Sequence, residues 1–420
     1  MKPTFGYCVT LVLSLQALTP CARGADWPAW RGPHGNGVTD ETDLPLKWSA
    51  TENVAWKAPL PGPGNSTPVV SQGRVFVTCA SDKGATRSVL CFDRTGGKPL
   101  WRQDTKYSGE ETTHDTNPYC SASPVTDGRR VFASLGSAGV VAYEAADGRP
   151  LWHRDLGPMR HIWGNASSPV LQDGKLILLC GPGPETRLVA LDPENGDPTW
   201  QNDLPEAKGK GPDEWKGAWN TPVVHSDGGS ATLIVDLPRY VAGFDPASGK
   251  ERWRCHGLGD LAYANALVGN GVIVSMSGYG GPAIGMRLPK PGETGDLTAT
   301  HRLWVVEKNQ QRVGTGVIAG KHVYIVTDPG MAECIDPETG KTLWKQRAAN
   351  SSWSSAVLSG DRLYVIDQTG QTVVLRTGPK FELLAENPLG ETTRASIAPS
   401  DGQLFIRTYK ALYCIGSKTP

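Results

Sequence analysis

The side chains best suited to chemistry in this 420-residue chain sit in a few loops. One loop carries His114, Asp115, Asn117 and Tyr119, and the next carries Arg160, His161, Trp163 and Asn165. A third ends in Trp219 and Asn220. Later loops offer Tyr263 with Asn265, then Arg312, Trp353 and Arg394. Aromatic rings beside amides, imidazoles and guanidiniums make a surface for stacking and hydrogen bonding. Arginine forks suit carboxylates, as in a quinone or an acidic sugar. Asp115 aside, these residues are the ligand-binding candidates. No catalytic residue is nominated. His114 with Asp115 could act as an acid–base pair or bind metal, but a metal site wants three or four ligands, so no metal ligand is nominated either. The chain has no G-x-S-x-G elbow, H-E-x-x-H helix or C-x-x-C pair. Gly278-Tyr279-Gly280-Gly281 reads as a loop between strands, because it lacks the helix and lysine of a phosphate cradle.

What must position these loops is a repeated unit: small-Pro-Val, a Gly/Asp turn, an apolar strand, a loop, a second apolar strand ending in an acid, then Gly and Trp. Its signature, acid-x3-Gly-x3-Trp, recurs as Asp93/Gly97/Trp101, Glu144/Gly148/Trp152, Asp192/Gly196/Trp200, Asp245/Gly249/Trp253 and Asp336/Gly340/Trp344. The acid can bond turn N–H groups, the glycine takes a left-handed turn, and the tryptophan offers a flat packing face. Trp101, Trp152, Trp200, Trp253, Trp304 and Trp344 are therefore expected to be structural, docking one repeat on the next. Copies recur every 40 to 53 residues, the size of a four-stranded blade. Val54-Ala55-Trp56-Lys57 looks like an outer strand without its three predecessors, and the repeat at 396–415 has three strands without a fourth. Joining these two ends removes the open sheet edges. The expected fold is all-β: an eight-bladed β-propeller of four-stranded antiparallel blades, closed by pairing of N- and C-terminal strands. It would occupy 45–420, after an N-terminal extension at 25–44. In such a ring the loops leading into the innermost strands converge at one face, which gathers the candidates above.

The string ALDPENGDPTW (190–200) and its four counterparts resemble the tryptophan-docking repeat of the pyrroloquinoline quinone propeller family. Asn53-Val54-Ala55-Trp56, preceded by Asp26-Trp27-Pro28 and Arg31-Gly32, resembles the opening segment of quinoprotein dehydrogenases. The resemblance covers nearly all of the chain after its first two dozen residues and implies eight blades. The family holds quinone-dependent alcohol and sugar dehydrogenases, an outer-membrane assembly lipoprotein without cofactor, and many exported proteins of unassigned role. This chain departs from the dehydrogenases. It has no Cys-Cys dipeptide, no C-x-x-C-H haem motif, and none of the large insertions that build a cofactor lid. The expectation is an exported propeller that binds a small molecule or a protein partner through its loop face, without catalysis and without a cofactor. The alternative is a quinone-dependent oxidoreductase, alcohol or sugar dehydrogenase-like, holding pyrroloquinoline quinone with Ca²⁺. A hydrolase or lyase using His161 or His114 is a third reading.

The 42 Lys+Arg against 42 Asp+Glu exclude the basic footprint of a nucleic-acid binder and the polybasic patch of a membrane-surface protein. Fifty glycines and 33 prolines with 14 tryptophans mark a folded, turn-rich protein. Lys2, the apolar run Cys8–Leu18 and the small residues of Ala22-Arg23-Gly24 read as a secretory signal over 1–24, so a periplasmic or extracellular location is expected. The run is too short to span a bilayer, and no later segment is apolar enough. Pro20 before Cys21 argues against lipidation. Seven cysteines follow Cys21, and Cys79 and Cys91 fall on neighbouring strands where either a cross-strand disulfide or two buried thiols would fit. A monomer is expected.

Overall fold

The computed structural model describes residues 26–309, 311 and 313–417. The signal segment 1–24 and the candidate Arg312 lie outside the described residues. Eight four-stranded antiparallel blades surround one axis. Blade 1 comprises Val69–Ser71, Arg74–Ser81, Thr86–Asp93 and Pro99–Lys106. Blades 2 to 7 follow in chain order, each starting with its innermost strand: Val125–Thr126, Val170–Gln172, Val223–Asp227, Leu267–Gly269, Val317–Ala319 and Val357–Ser359. Blade 8 is composite. Ala398–Ser400, Gln403–Arg407 and Ala411–Ile415 take Val54–Pro59 as their outer strand, with Trp56 opposite Cys414. The expected closure is therefore observed. Middle strands are buried on both faces and read as continuous apolar runs, such as Lys175–Cys180 (KLILLC). The outer strands alternate, as in Pro99–Lys106.

The repeat signature works between blades. Trp56, Trp101, Trp152, Trp200, Trp304 and Trp344 each donate Nε1–H to a turn carbonyl of the following blade, at 2.8–3.1 Å. For all of these but Trp344, which meets Phe381 instead, the indole lies against that turn's glycine. A Cβ on Gly148 would come within 2.6 Å of Trp101, and its φ of 75° also favours glycine. The acid caps the same turn, as when Asp245 Oδ1 accepts from the N–H groups of Ala247 and Ser248. Trp253 differs. The insertion in blade 5 replaces the docking turn, and Trp253 packs buried over Gly243 of its own blade. All seven described cysteines are buried free thiols. Cys79 pairs opposite Ser88 and Cys91 opposite Phe76, an odd offset that puts the two on opposite sheet faces.

A belt of hydrogen bonds encircles the channel, one per blade. Thr67 N–H donates to Ser123 Oγ (2.8 Å), Ser123 to Ser168 Oγ (2.9 Å), Ser168 to Thr221 Oγ1 (2.9 Å) and Thr221 to Asn265 Oδ1 (2.9 Å). Asn265 N–H donates to Thr315 Oγ1 (3.0 Å), Thr315 to Ser355 Oγ (3.0 Å), Ser355 to Ser396 Oγ (2.8 Å), and Ser396 back to Thr67 Oγ1 (3.2 Å).

The extension is a strap beneath the ring. Trp27 exchanges both backbone hydrogen bonds with Val70 of blade 1, and Pro28 O accepts from Thr126 of blade 2. Trp30 then enters the channel. The guanidinium of Arg31, 3% exposed, donates to the carbonyls of Gly316 (2.6 Å), Thr315 (3.3 Å) and Ala356 (3.4 Å), tying the strap to blades 6 and 7. Val38–Thr39 adds a parallel strand to blade 7 beside Leu358–Ser359. Glu41 accepts from the N–H groups of Asp401 and Gly402 in blade 8.

Candidate functional site

Trp30 lines a cavity of about 200 Å³ at the loop face and another of about 630 Å³ on the strap side. One wall of the upper cavity is aromatic. A short parallel ladder, Gly217–Ala218 with Leu261–Ala262, aligns the loops before blades 4 and 5. That register sets Trp219 against Tyr263, stacked at 4.5 Å and 19°. Trp163 meets both rings and stacks on Tyr279 at 5.5 Å and 15°, while Trp215, 60% exposed, packs on Trp163 and Tyr279 at the rim. Five rings from four loops thus form one surface.

Several sequence candidates act behind this wall, Asn117 lining the cavity as well. Trp163 N–H donates to His161 Nδ1 (3.2 Å), so Nε2–H donates to Glu214 O (3.0 Å) and the ring is neutral. Burial pushes the His161 imidazole below its usual range, and the ring sits edge-on to Trp219 at 4.9 Å. Asn117 Nδ2 clamps the carbonyls of Trp163 and Asn165, both at 2.9 Å. Asn220 Nδ2 donates to Asp236 O (2.6 Å). Asn165 donates to Glu111, whose carboxylate is paired with Arg87 at 2.8 Å inside the protein. Tyr119 turns away to cover Arg87 (5.4 Å), because that buried cation draws two tyrosine faces, Tyr107 being the other. Arg160 points outward to Glu185 (3.0 Å).

The facing wall joins blades 6, 8 and 1. Trp353 Nε1 donates to Asp328 Oδ2 (3.2 Å), and Arg394 lies over Trp353 at 5.2 Å. Arg394 donates to Tyr409 Oη, and Tyr409 donates to Asn65 Oδ1 (3.2 Å). Arg394 Nε is buried without a partner, and among the described residues no carboxylate lies within 4 Å of this guanidinium. His114 is exposed at the mouth, its Nδ1 2.9 Å from Thr116 Oγ1. Thr67, Ser168, Thr221, Ser355 and Ser396 of the hydrogen-bonded belt also line the cavity. Asn265 belongs to the belt but lines the strap-side cavity. Among the described residues no Asp or Glu lines the upper cavity.

Of the candidates, the structure brings His114, Asn117, Trp163, Trp219, Tyr263, Trp353 and Arg394 to one cavity. Trp30, Asn65, Tyr279 and the belt hydroxyls were not singled out from sequence. The belt does have a signal: two residues before the first Val, Leu or Ala of every innermost strand stands Thr, Ser or Asn. Among the described residues no group of three His, Cys, Asp or Glu side chains could hold a metal ion. A quinone carried on Ca²⁺ needs such oxygen donors, so the donor set present does not fit that group.

A family model described as "Outer membrane protein assembly factor BamB" matches residues 46–254 and 238–380. Among curated proteins, the outer membrane protein assembly factor BamB of Xanthomonas campestris is 28% identical over 33% of this chain and 30% of its own length. The BamB of Moranella endobia is 26% identical over 38% of this chain and 37% of its own. The quinohemoprotein alcohol dehydrogenase ADH-IIG of Pseudomonas putida is 23% identical over 77% of this chain and 46% of its own. The chain thus spans between 30% and 46% of the length of these relatives. Among solved structures, BamB from Moraxella catarrhalis superposes with a TM-score of 0.59 at 15% identity, covering 87% of this chain and 98% of that one. Quinohemoprotein alcohol dehydrogenase from Comamonas testosteroni gives 0.62 at 15% identity, covering 94% and 81%. These structures share the fold.

Proposed function

Because the chain belongs to the pyrroloquinoline quinone-like repeat propellers, the family whose matching model carries the BamB description, we propose that it is a non-catalytic binding propeller. It takes a small molecule or a protein segment at the mouth of its channel. The observation that supports this reading is the division of labour at the loop face. The side-chain donors of His161, Asn117, Asn165 and Asn220 are spent on fixing loops, while ring faces and the guanidinium of Arg394 turn to the cavity. Stacking surfaces with few polar anchors favour binding. General acid–base catalysis instead needs a titratable group beside the reacting atoms. The two histidines considered for such a role are a neutral buried support and an exposed side chain held by Thr116.

The reading places the protein outside the cytoplasm, with 1–24 as its export signal and the 25–44 extension and 45–420 propeller as the exported part. Relatives named for outer-membrane protein assembly favour a protein segment as one class of partner. Reconstitution tests the alternative. Full-length protein mixed with pyrroloquinoline quinone and Ca²⁺ is expected to show no stoichiometric, Ca²⁺-dependent uptake by absorbance and no dye-linked alcohol or glucose oxidation. Uptake that is lost in Arg394→Ala or Trp219→Ala would replace the binding reading with the oxidoreductase one.

A further inference from the structure

We propose that the upper cavity binds an anionic monosaccharide unit, a pyranose bearing a carboxylate or sulfate, with its C–H face on the Trp163–Tyr279 wall and its charge drawn to Arg394. This rests on the binding reading above and specifies the ligand. Three independent features carry it.

The first is uncompensated positive charge. Arg394 lines the cavity with a spare buried Nε donor and no described carboxylate within 4 Å. Arg31 lies beside Trp30 at 5.9 Å and is satisfied only by carbonyl oxygens. Among the described residues no Asp or Glu lines the cavity to oppose the Arg394 charge, and a low-dielectric channel concentrates its field. An acid on that wall, Asp328, is held by Trp353 Nε1 and by Ser351 Oγ at 2.6 Å.

The second is the belt. Each of its seven hydroxyl oxygens already accepts a backbone N–H, and among the described residues none donates its own proton to a protein acceptor. The belt thus presents O–H donors around the axis at several azimuths. A ligand with acceptors around its whole perimeter uses such an array, whereas an aryl acid presents acceptors at one end only. The third is the aromatic wall, whose near-parallel rings suit the apolar C–H face of a pyranose. A cavity of about 200 Å³ has room for one such ring and excludes a folded partner.

Calorimetry and tryptophan fluorescence on the full chain, with D-glucuronate, D-glucose and benzoate as probes, test this. Glucuronate is expected to bind about tenfold tighter than glucose, the effect of one charged hydrogen bond. Its affinity should fall with added salt. Arg394→Met should erase the preference for glucuronate over glucose, and Trp163→Ala should weaken both sugars. A tetragalacturonate arm separates sources: equal affinity marks a free acid sugar, and tighter binding marks a chain end. Equal binding of glucose and glucuronate would overturn the anion claim, and benzoate binding as tightly as glucuronate would overturn the saccharide claim. Either of those results, weakened by Trp163→Ala, leaves the loop-face binding reading standing. If no probe binds up to ~10 mM, near the weakest specific affinities, the ligand assignment fails outright. The loop-face reading then falls with it if Trp163→Ala and Arg394→Met also leave the protein's retention of secreted proteins unchanged.

Discussion

At the scale of single residues, the docking tryptophans and one buried acid dominate the energetics. Trp152 and Trp200 are half-buried, stacked on a glycine of the next blade and hydrogen-bonded to its turn. Replacing either with Ala should cost about 3 kcal/mol, the low end for a buried aromatic, because each indole keeps one edge in water. Urea unfolding measures the loss, and a change below ~0.5 kcal/mol, the size of an ordinary surface effect, would contradict the docking role. Ligand affinity of the surviving fold should not move. Asp236 in blade 4 presents the opposite case. Its Oδ1 accepts from Ser275 Oγ (2.6 Å), but its Oδ2 and the neighbouring Asn220 Oδ1 meet no donor. Burial pushes its carboxyl up to about 8 from a usual value near 3.8. The folded state thus keeps a proton that the unfolded chain gives up. Stability from this group is greatest below the unfolded value and declines as pH rises through the folded one. Asp236→Asn should remove that decline, so melting temperatures at about pH 5 and about pH 8 should differ less than in the parent. An unchanged difference would sink the assignment.

At the scale of elements, the strap and the closing strand make separable contributions. Val54–Pro59 completes blade 8, so deleting 26–60 should destabilise the entire ring. An unchanged cooperative melt would refute closure by that strand. Deleting only 26–44 should leave the ring folded but remove Trp30, which lines both cavities, and with it the ligand selectivity of the upper one. Circular dichroism separates the two truncations, and probe binding reads the second. The blades were legible in sequence because acid, glycine and tryptophan fall within nine residues of chain at one fixed spacing, repeated five times. The site was legible only as a set of loops. Trp163, Trp219 and Tyr263 were visible as unusual loop aromatics, yet Tyr119 is claimed by Arg87, a partner 32 positions away that no local pattern announces. Tyr279 sat among glycines that read as a plain turn, and its left-handed φ of 55° is what lifts its ring to Trp163. Trp30 was hidden for a different reason: it belongs to a segment outside the repeat.

At the scale of the molecule, charge neutrality in the sequence conceals a polar axis. Forty-two cations balance 42 anions overall. Arg31 and Arg394 nevertheless stand near the channel with no ion-paired carboxylate among the described residues, so binding at the mouth should weaken as salt rises although the protein as a whole is neutral. A salt-independent affinity for any anionic probe would count against that field. The belt of eight hydrogen bonds has a further property. Every bond points in the same rotational sense, from one blade to the next, and the last returns to the first. Such a loop has direction but no origin, so its integrity is indifferent to where the polypeptide is cut. Gly416 already donates to Asn53 O at 2.9 Å, which brings the two natural ends of the ring within reach of a short linker. A chain rejoined there and reopened between any two blades would carry the same eight donors and acceptors in the same order, a clock face whose numbering can start at any hour.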